Sequence, residues 1–139
     1  ETVATEYSAS LGMVVDGLTA AGIRLCLDDF GSGYANLNTV MRLPFSTIKL
    51  DRSLLFDICN DEKRAQFYQS VVETFRKMNY HIVSEGVETR EEMELISRWG
   101  VDMIQGYYFS KPLPEKALIS LMQTETMSVS VNGEQSEKV

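Results

Sequence analysis

This sequence predicts an α/β fold, on three observations. Four short apolar runs rich in β-formers alternate with stretches of helical periodicity. Strands separated by helices pair in parallel through right-handed crossovers. Each strand also runs out on polar groups: Asp28 and Asp29, Lys49, Glu85 followed by Glu88, and Gln105. Polar groups at successive strand ends are how a β/α barrel assembles an active site. About four βα units make half of an eight-stranded barrel. An open doubly wound sheet has the same rhythm, but no glycine-rich phosphate fingerprint follows the first strand, which leans away from a dinucleotide fold.

The elements follow in order. Tyr7 to Ala21 carries Leu11, Val14, Val15 and Leu18 at helical spacing, with Thr5 as N-cap and Gly22 as the stop. Ile23 to Asp28 reads as the first strand, leading into the loop Phe30-Gly31-Ser32-Gly33. Leu37 to Arg42 is a short helix ended by Pro44. Thr47 to Leu50 is the second strand. Asp61 to Met78 is the clearest helix, with Phe67/Tyr68, Val71/Val72, Phe75 and Met78 recurring every three or four residues and Asn79 closing it. Tyr80 to Ser84 is the third strand. Thr89-Arg90-Glu91-Glu92 is a capping-box pattern opening a helix to Trp99, with Gly100 after it. Val101 to Gln105 is the fourth strand, and Glu115 to Met122 a last helix after Pro112-Leu113-Pro114. The polar stretch 123–139 reads as a disordered tail.

Composition narrows the class. The chain has 139 residues, enough for one modest core. Its net charge of −7 argues against a nucleic-acid footprint, which needs a basic face. Cys26 and Cys59 form neither a disulfide framework nor a metal knuckle. Cys26, inside an apolar strand, is expected to be a small buried hydrophobe in a reducing, cytoplasmic setting. No stretch reaches the ~20 apolar residues of a membrane span. No signal peptide is visible. The first residue is not Met, so a piece of a longer protein is expected, whose other domains are free to carry a membrane anchor.

Each strand end admits a bland and a chemical reading. If Ile48 and Leu50 pack under helices, Lys49 points the other way and needs carboxylate partners. That pairing is structural or catalytic. Asp28 and Asp29 cannot both face one way in a regular strand, yet at a strand-to-loop transition both can reach one pocket. Adjacent carboxylates repel, and a hard divalent cation such as Mg²⁺ or Mn²⁺ relieves this. Alternatively, Asp29 only caps the turn. Glu88, just before Thr89, either serves the site or favours the helix N-terminus. Gln105 is able to orient water or a phosphate oxygen. His81, at a strand's start, reads as structural.

Four stretches together resemble the second half of an EAL domain, the bacterial family that hydrolyses cyclic di-GMP. They are Leu27-Asp28-Asp29-Phe30-Gly31-Ser32-Gly33-Tyr34, Leu43-Pro44 through Ile48-Lys49-Leu50-Asp51-Arg52-Ser53, Val83-Ser84-Glu85-Gly86-Val87-Glu88-Thr89, and Gln105-Gly106-Tyr107-Tyr108-Phe109-Ser110-Lys111-Pro112-Leu113-Pro114. The resemblance covers residues 1–122. It implies a partial TIM-type (β/α) barrel with a two-metal Mg²⁺ or Mn²⁺ site at the strands' C-terminal mouth, yielding linear pGpG. By resemblance, Asp28 and Asp29 are metal ligands, Lys49 contacts the attacking water or the phosphate, and Glu85 is a ligand or base. Glu88 and Gln105 support the water network. Glu1 matches a loop anchor, and the loop after Asp29 matches a homodimer contact.

The family's Glu-Ala-Leu glutamate, an asparagine ligand and a second glutamate have no counterpart in this sequence. The segment alone is therefore expected to hydrolyse cyclic di-GMP negligibly. The alternative expectation is a degenerate domain that binds cyclic di-GMP or a protein without catalysis.

Overall fold

The structure, a computed structural model, describes residues 9–33 and 37–124. Four parallel strands form one sheet: β1 (Leu25–Phe30), β2 (Phe45–Leu50), β3 (His81–Ser84) and β4 (Met103–Ile104), side by side in chain order. Helix α1 (Ala9–Ala20) precedes β1. Helix α2 (Leu37–Arg42) joins β1 to β2, α3 (Glu62–Lys77) joins β2 to β3, and α4 (Arg90–Arg98) joins β3 to β4. A 3₁₀ turn, Arg52–Leu55, lies between β2 and α3.

The strand order separates the two architectures the sequence left open. A doubly wound sheet reverses its strand order and takes helices on both faces. Here the order never reverses, and successive right-handed crossovers bring the connecting segments to one face. On that face Ile48, Leu50 and Ile82 are buried against Val40 of α2, Tyr68, Val72 and Phe75 of α3, and Ile96 of α4. This is the winding of a barrel. The opposite face, carrying Cys26, Asp28, Thr47, Lys49 and Met103 by strand alternation, has no helix from this core upon it; Met103 is 64% exposed.

Cys26 is therefore not the buried hydrophobe expected from its apolar surroundings. It is exposed, because alternation turns it away from the helix-covered face and because β1 lies at the edge of the sheet among the described residues. Phe67 and Met78 are likewise exposed, one position off the stripe of α3 that Tyr68, Val72 and Phe75 bury. Strand β1 starts two residues later than the apolar run, at Leu25, and continues through both aspartates to Phe30. Strand β4 is shorter than Val101–Gln105, although its ladder continues at both ends: Asp102 N–H donates to Ile82 O at 3.1 Å and Gln105 N–H to Ser84 O at 2.8 Å.

The local signals act as their chemistry requires. Asp61 caps α3 by accepting from Lys63 and Arg64 N–H. Asn79 ends that helix with φ of 62°, a left-handed conformation asparagine tolerates better than most. Thr89 and Glu92 form the reciprocal capping box of α4, and Glu92 also accepts from Glu88 N–H at 2.9 Å. The Thr5 cap, the start of the first helix at Tyr7 and the tail beyond residue 124 lie outside the described residues.

The described residues 110–124 belong to a second compact unit. Its helix α5 (Glu115–Thr124) opens with Ala117 and Leu118 N–H donating to Pro114 O. No helix among the described residues is long and apolar enough to cross a membrane.

Candidate functional site

The adjacent aspartates sit at an irregularity of β1. Leu27 pairs with Ile48 and Phe30 with Leu50, so two residues, Asp28 and Asp29, lie opposite the single residue Lys49. This is a β-bulge, a device that re-aims side chains. Asp29 takes φ of 54°, the left-handed region that aspartate enters more readily than most residues. The extra residue and the left-handed turn break strict alternation. That is how neighbouring carboxylates come to one place although a regular strand forbids it. Asp29 O also accepts from Ser32 N–H at 3.2 Å and Ser32 Oγ at 2.9 Å, closing the Gly31–Gly33 turn.

Lys49 emerges from β2 between fully buried Ile48 and Leu50 and projects to the open face. Its Nζ donates to Asp28 Oδ1 at 2.7 Å and pairs with Glu85. The hydrogen bonds to Asp28 first, and to Glu85 second, hold the Lys49 ammonium well above the usual lysine range. Glu85 directly follows β3, and its N–H donates to Leu50 O at 3.0 Å. Its side chain is 17% exposed, against 62% for Asp28. Carboxylate oxygens of Asp28, Asp29 and Glu85 lie within 4.8 Å of one another. Three negative charges thus face one lysine, and the excess is reduced by a cation. An all-oxygen, carboxylate-rich donor set fits a hard divalent ion such as Mg²⁺ or Mn²⁺.

Gln105 follows β4 directly, so all four strands deliver their polar groups to the same end of the sheet. Its side chain is exposed, and its backbone carbonyl accepts from Val87 N–H at 3.2 Å. Glu88 is not in the carboxylate cluster: its side chain pairs with Arg52 at 3.4 Å. Arg52 was not singled out from the sequence, although it follows Lys49 by three residues in the same motif. Its Cβ passes so close to Gly86 that an added methyl there would sit 2.4 Å away. His81 lies at the other end of the sheet, beside Asp102 and at the rim of a shallow cavity of about 220 Å³ with Arg76 and Asn79. Glu1 and residues 34–36 of the loop after Asp29 lie outside the described residues.

The family described as EAL domain matches residues 1–112. The chain belongs to the EAL domain family. The segment is 34% identical over 119 residues to the bifunctional diguanylate cyclase/cyclic di-GMP phosphodiesterase MucR of Pseudomonas aeruginosa, covering 86% of this chain and 17% of MucR. It is 38% identical over 107 residues to the cyclic di-GMP phosphodiesterase PdeL of Escherichia coli, covering 77% of this chain and 30% of PdeL. Among solved structures, the MucR phosphodiesterase in complex with cyclic di-GMP superposes with a TM-score of 0.69 at 34% identity, over 81% of this chain and 46% of that one. The manganese and cyclic di-GMP complex of Klebsiella pneumoniae BlrP1 gives 0.68 at 35% identity, over 75% and 26%. The EAL segment thus spans well under half the length of these curated relatives, is related to cyclic di-GMP phosphodiesterases, and aligns with part of their barrel.

Proposed function

We propose that this EAL segment contributes the second half of a metal-dependent active site that hydrolyses cyclic di-GMP to linear pGpG. The observation that carries this is the convergence of Asp28, Asp29 and Glu85 on one point, with Lys49 held among them. Asp28, Asp29 and Glu85 would hold Mg²⁺ or Mn²⁺. Bound divalent ions supply Lewis-acid polarisation of the phosphoryl oxygen and a lowered pKa for a coordinated water. Lys49, held between Asp28 and Glu85, would act as a hydrogen-bond donor to the attacking water or a phosphate oxygen. If Glu85 is not taken up by the ion, it would instead accept the water proton as the water oxygen bonds to phosphorus. The phosphorus–oxygen bond to the leaving sugar breaks, and that oxygen takes a proton from solvent water. Gln105 and Glu88 line the approach and support its water network, Glu88 through Arg52.

Residues 1–122 form the catalytic part of this reading, with Glu1 bracing the loop after Asp29. That loop is the homodimer contact, favoured by the exposed Leu37 and Met41 of α2 just beyond it. The segment alone would turn over substrate negligibly, because among the described residues the four-stranded sheet has two open edges and an uncovered inner face.

Calorimetry of Mn²⁺ binding to the chain tests the proposal, with Asp28→Asn and Glu85→Gln as variants. Mn²⁺ binding that each variant weakens at least tenfold is expected. Unchanged affinity in both would exclude these carboxylates as ligands. Cyclic di-GMP heats that appear only with Mn²⁺ connect the metal to the substrate.

A further inference from the structure

We propose that the buried hydrogen bond between Tyr68 and Ser84 is a positioning device for the site: it sets the height at which β3 delivers Glu85 to the rim and, through the β3–β4 ladder, the height of Gln105. Ser84 is the one fully buried polar residue among the described residues, and it sits in a core otherwise built from Ile48, Leu50, Ile82, Val72 and Ile96. Its Oγ accepts from the equally buried Tyr68 hydroxyl at 2.7 Å. The Tyr68 ring is packed against Trp99, with centroids 5.6 Å apart.

Such a pair adds little to stability, since replacing both partners by apolar groups of similar shape is nearly neutral. What it adds is direction. The single aliphatic side chain that β3 turns to α3, Ile82, tolerates a small shift, whereas a buried hydrogen bond weakens steeply outside a narrow range of length and angle and so adds direction to the β2–β3 ladder. Ser84 is the residue through which such a slide would reach the site. Glu85 follows it on the opposite face. The Ser84 carbonyl accepts from Gln105 N–H at 2.8 Å, and Glu85 N–H donates to Leu50 O at 3.0 Å. One side-chain hydrogen bond on the helix-covered face therefore governs two site residues on the other. Tyr68 and Ser84 touch neither metal nor substrate and act only through their neighbours.

The inference rests on the metal reading for its consequence but not for its geometry, and the test separates the two. Amide hydrogen exchange is measured on the whole chain, the parent against Tyr68→Phe and the double variant Tyr68→Phe/Ser84→Ala. The double variant removes both polar partners, so it folds even if the single one, with an orphaned hydroxyl, does not. In it, the amides of Glu85 and Gln105 exchange about tenfold faster relative to the amide of Phe75 in α3. Its Mn²⁺ affinity falls about threefold to tenfold although its stability matches the parent's. An exchange ratio within twofold of the parent's overturns the proposal, as does an equal Mn²⁺ affinity in a parent that binds the ion. A parent that binds no Mn²⁺ sinks the metal reading alone, and the exchange ratio still decides this one.

Discussion

Gly106→Ala tests most sharply how the loops at the strand ends are held. A Cβ at residue 106 would stand 2.0 Å from Val87 O and 2.4 Å from Val87 N. Both atoms are backbone, so no side-chain rotation relieves the overlap. Normal contact between such atoms is about 3.5 Å, and the two loops must part by roughly 1 Å or more. Val87 is fully buried, its N–H donates to Gln105 O at 3.2 Å, and its carbonyl accepts from Tyr108 N–H at 3.0 Å. Losing both bonds costs about 1 kcal/mol each, and overpacking adds about 1–3 kcal/mol, so a loss of about 3–5 kcal/mol is expected. Urea titration followed by Trp99, the single tryptophan, reads it. Gly17→Ala is the control: nothing lies within 4 Å of the added methyl, and the position is helical. It should stabilise by about 0.5–1 kcal/mol. If Gly106→Ala unfolds within 0.5 kcal/mol of the parent, the close approach of these backbones is not what holds the loops.

Alkaline pH should expose Tyr68: burial pushes its phenol up from 10 to about 12, so the unfolded chain ionises first and stability falls by about 2–3 kcal/mol between those values. Tyr68→Phe should remove that slope, and an unchanged slope would assign it elsewhere. Lys49 has a raised pKa too, so its contribution is complete below the ordinary lysine value and is lost only as pH climbs past it; stability near neutrality should not vary on its account. Lys49→Met leaves the carboxylate cluster without its cation, so the chain loses about 1–3 kcal/mol in the absence of metal and shows a larger Mn²⁺-induced rise in melting temperature than the parent. A smaller rise would mean that Lys49 aligns the ligands and does not compete with the ion. Asp29→Gly relieves both the left-handed backbone and the charge repulsion, and should stabilise by about 0.5–1 kcal/mol while weakening Mn²⁺ binding at least tenfold. Unaltered Mn²⁺ affinity would reduce Asp29 to a turn residue.

Local chemistry made most of the fold legible in advance. Helix α2, the stop at Asn79 and the Thr89–Glu92 box depend on residues within one turn of each other, so composition and spacing suffice. Lys49 was placed correctly because Ile48 and Leu50 bracket it and a strand alternates. What the sequence could not carry was anything set by a neighbour distant along the chain. Cys26 reads as a core residue in the sequence, yet it is exposed on β1, at the edge of the sheet among the described residues. Glu88 turned to Arg52 across two loops, and Ser84 found Tyr68 sixteen positions away.

The sequence by itself determined the βα rhythm, the parallel pairing and which polar groups end the strands, because these follow from periodicity and capping. Tertiary structure alone decided that the strands run in unbroken order and that two aspartates bulge opposite one lysine. Their oxygens therefore come together with that of Glu85, since strand register and backbone hand are fixed only when distant segments pack.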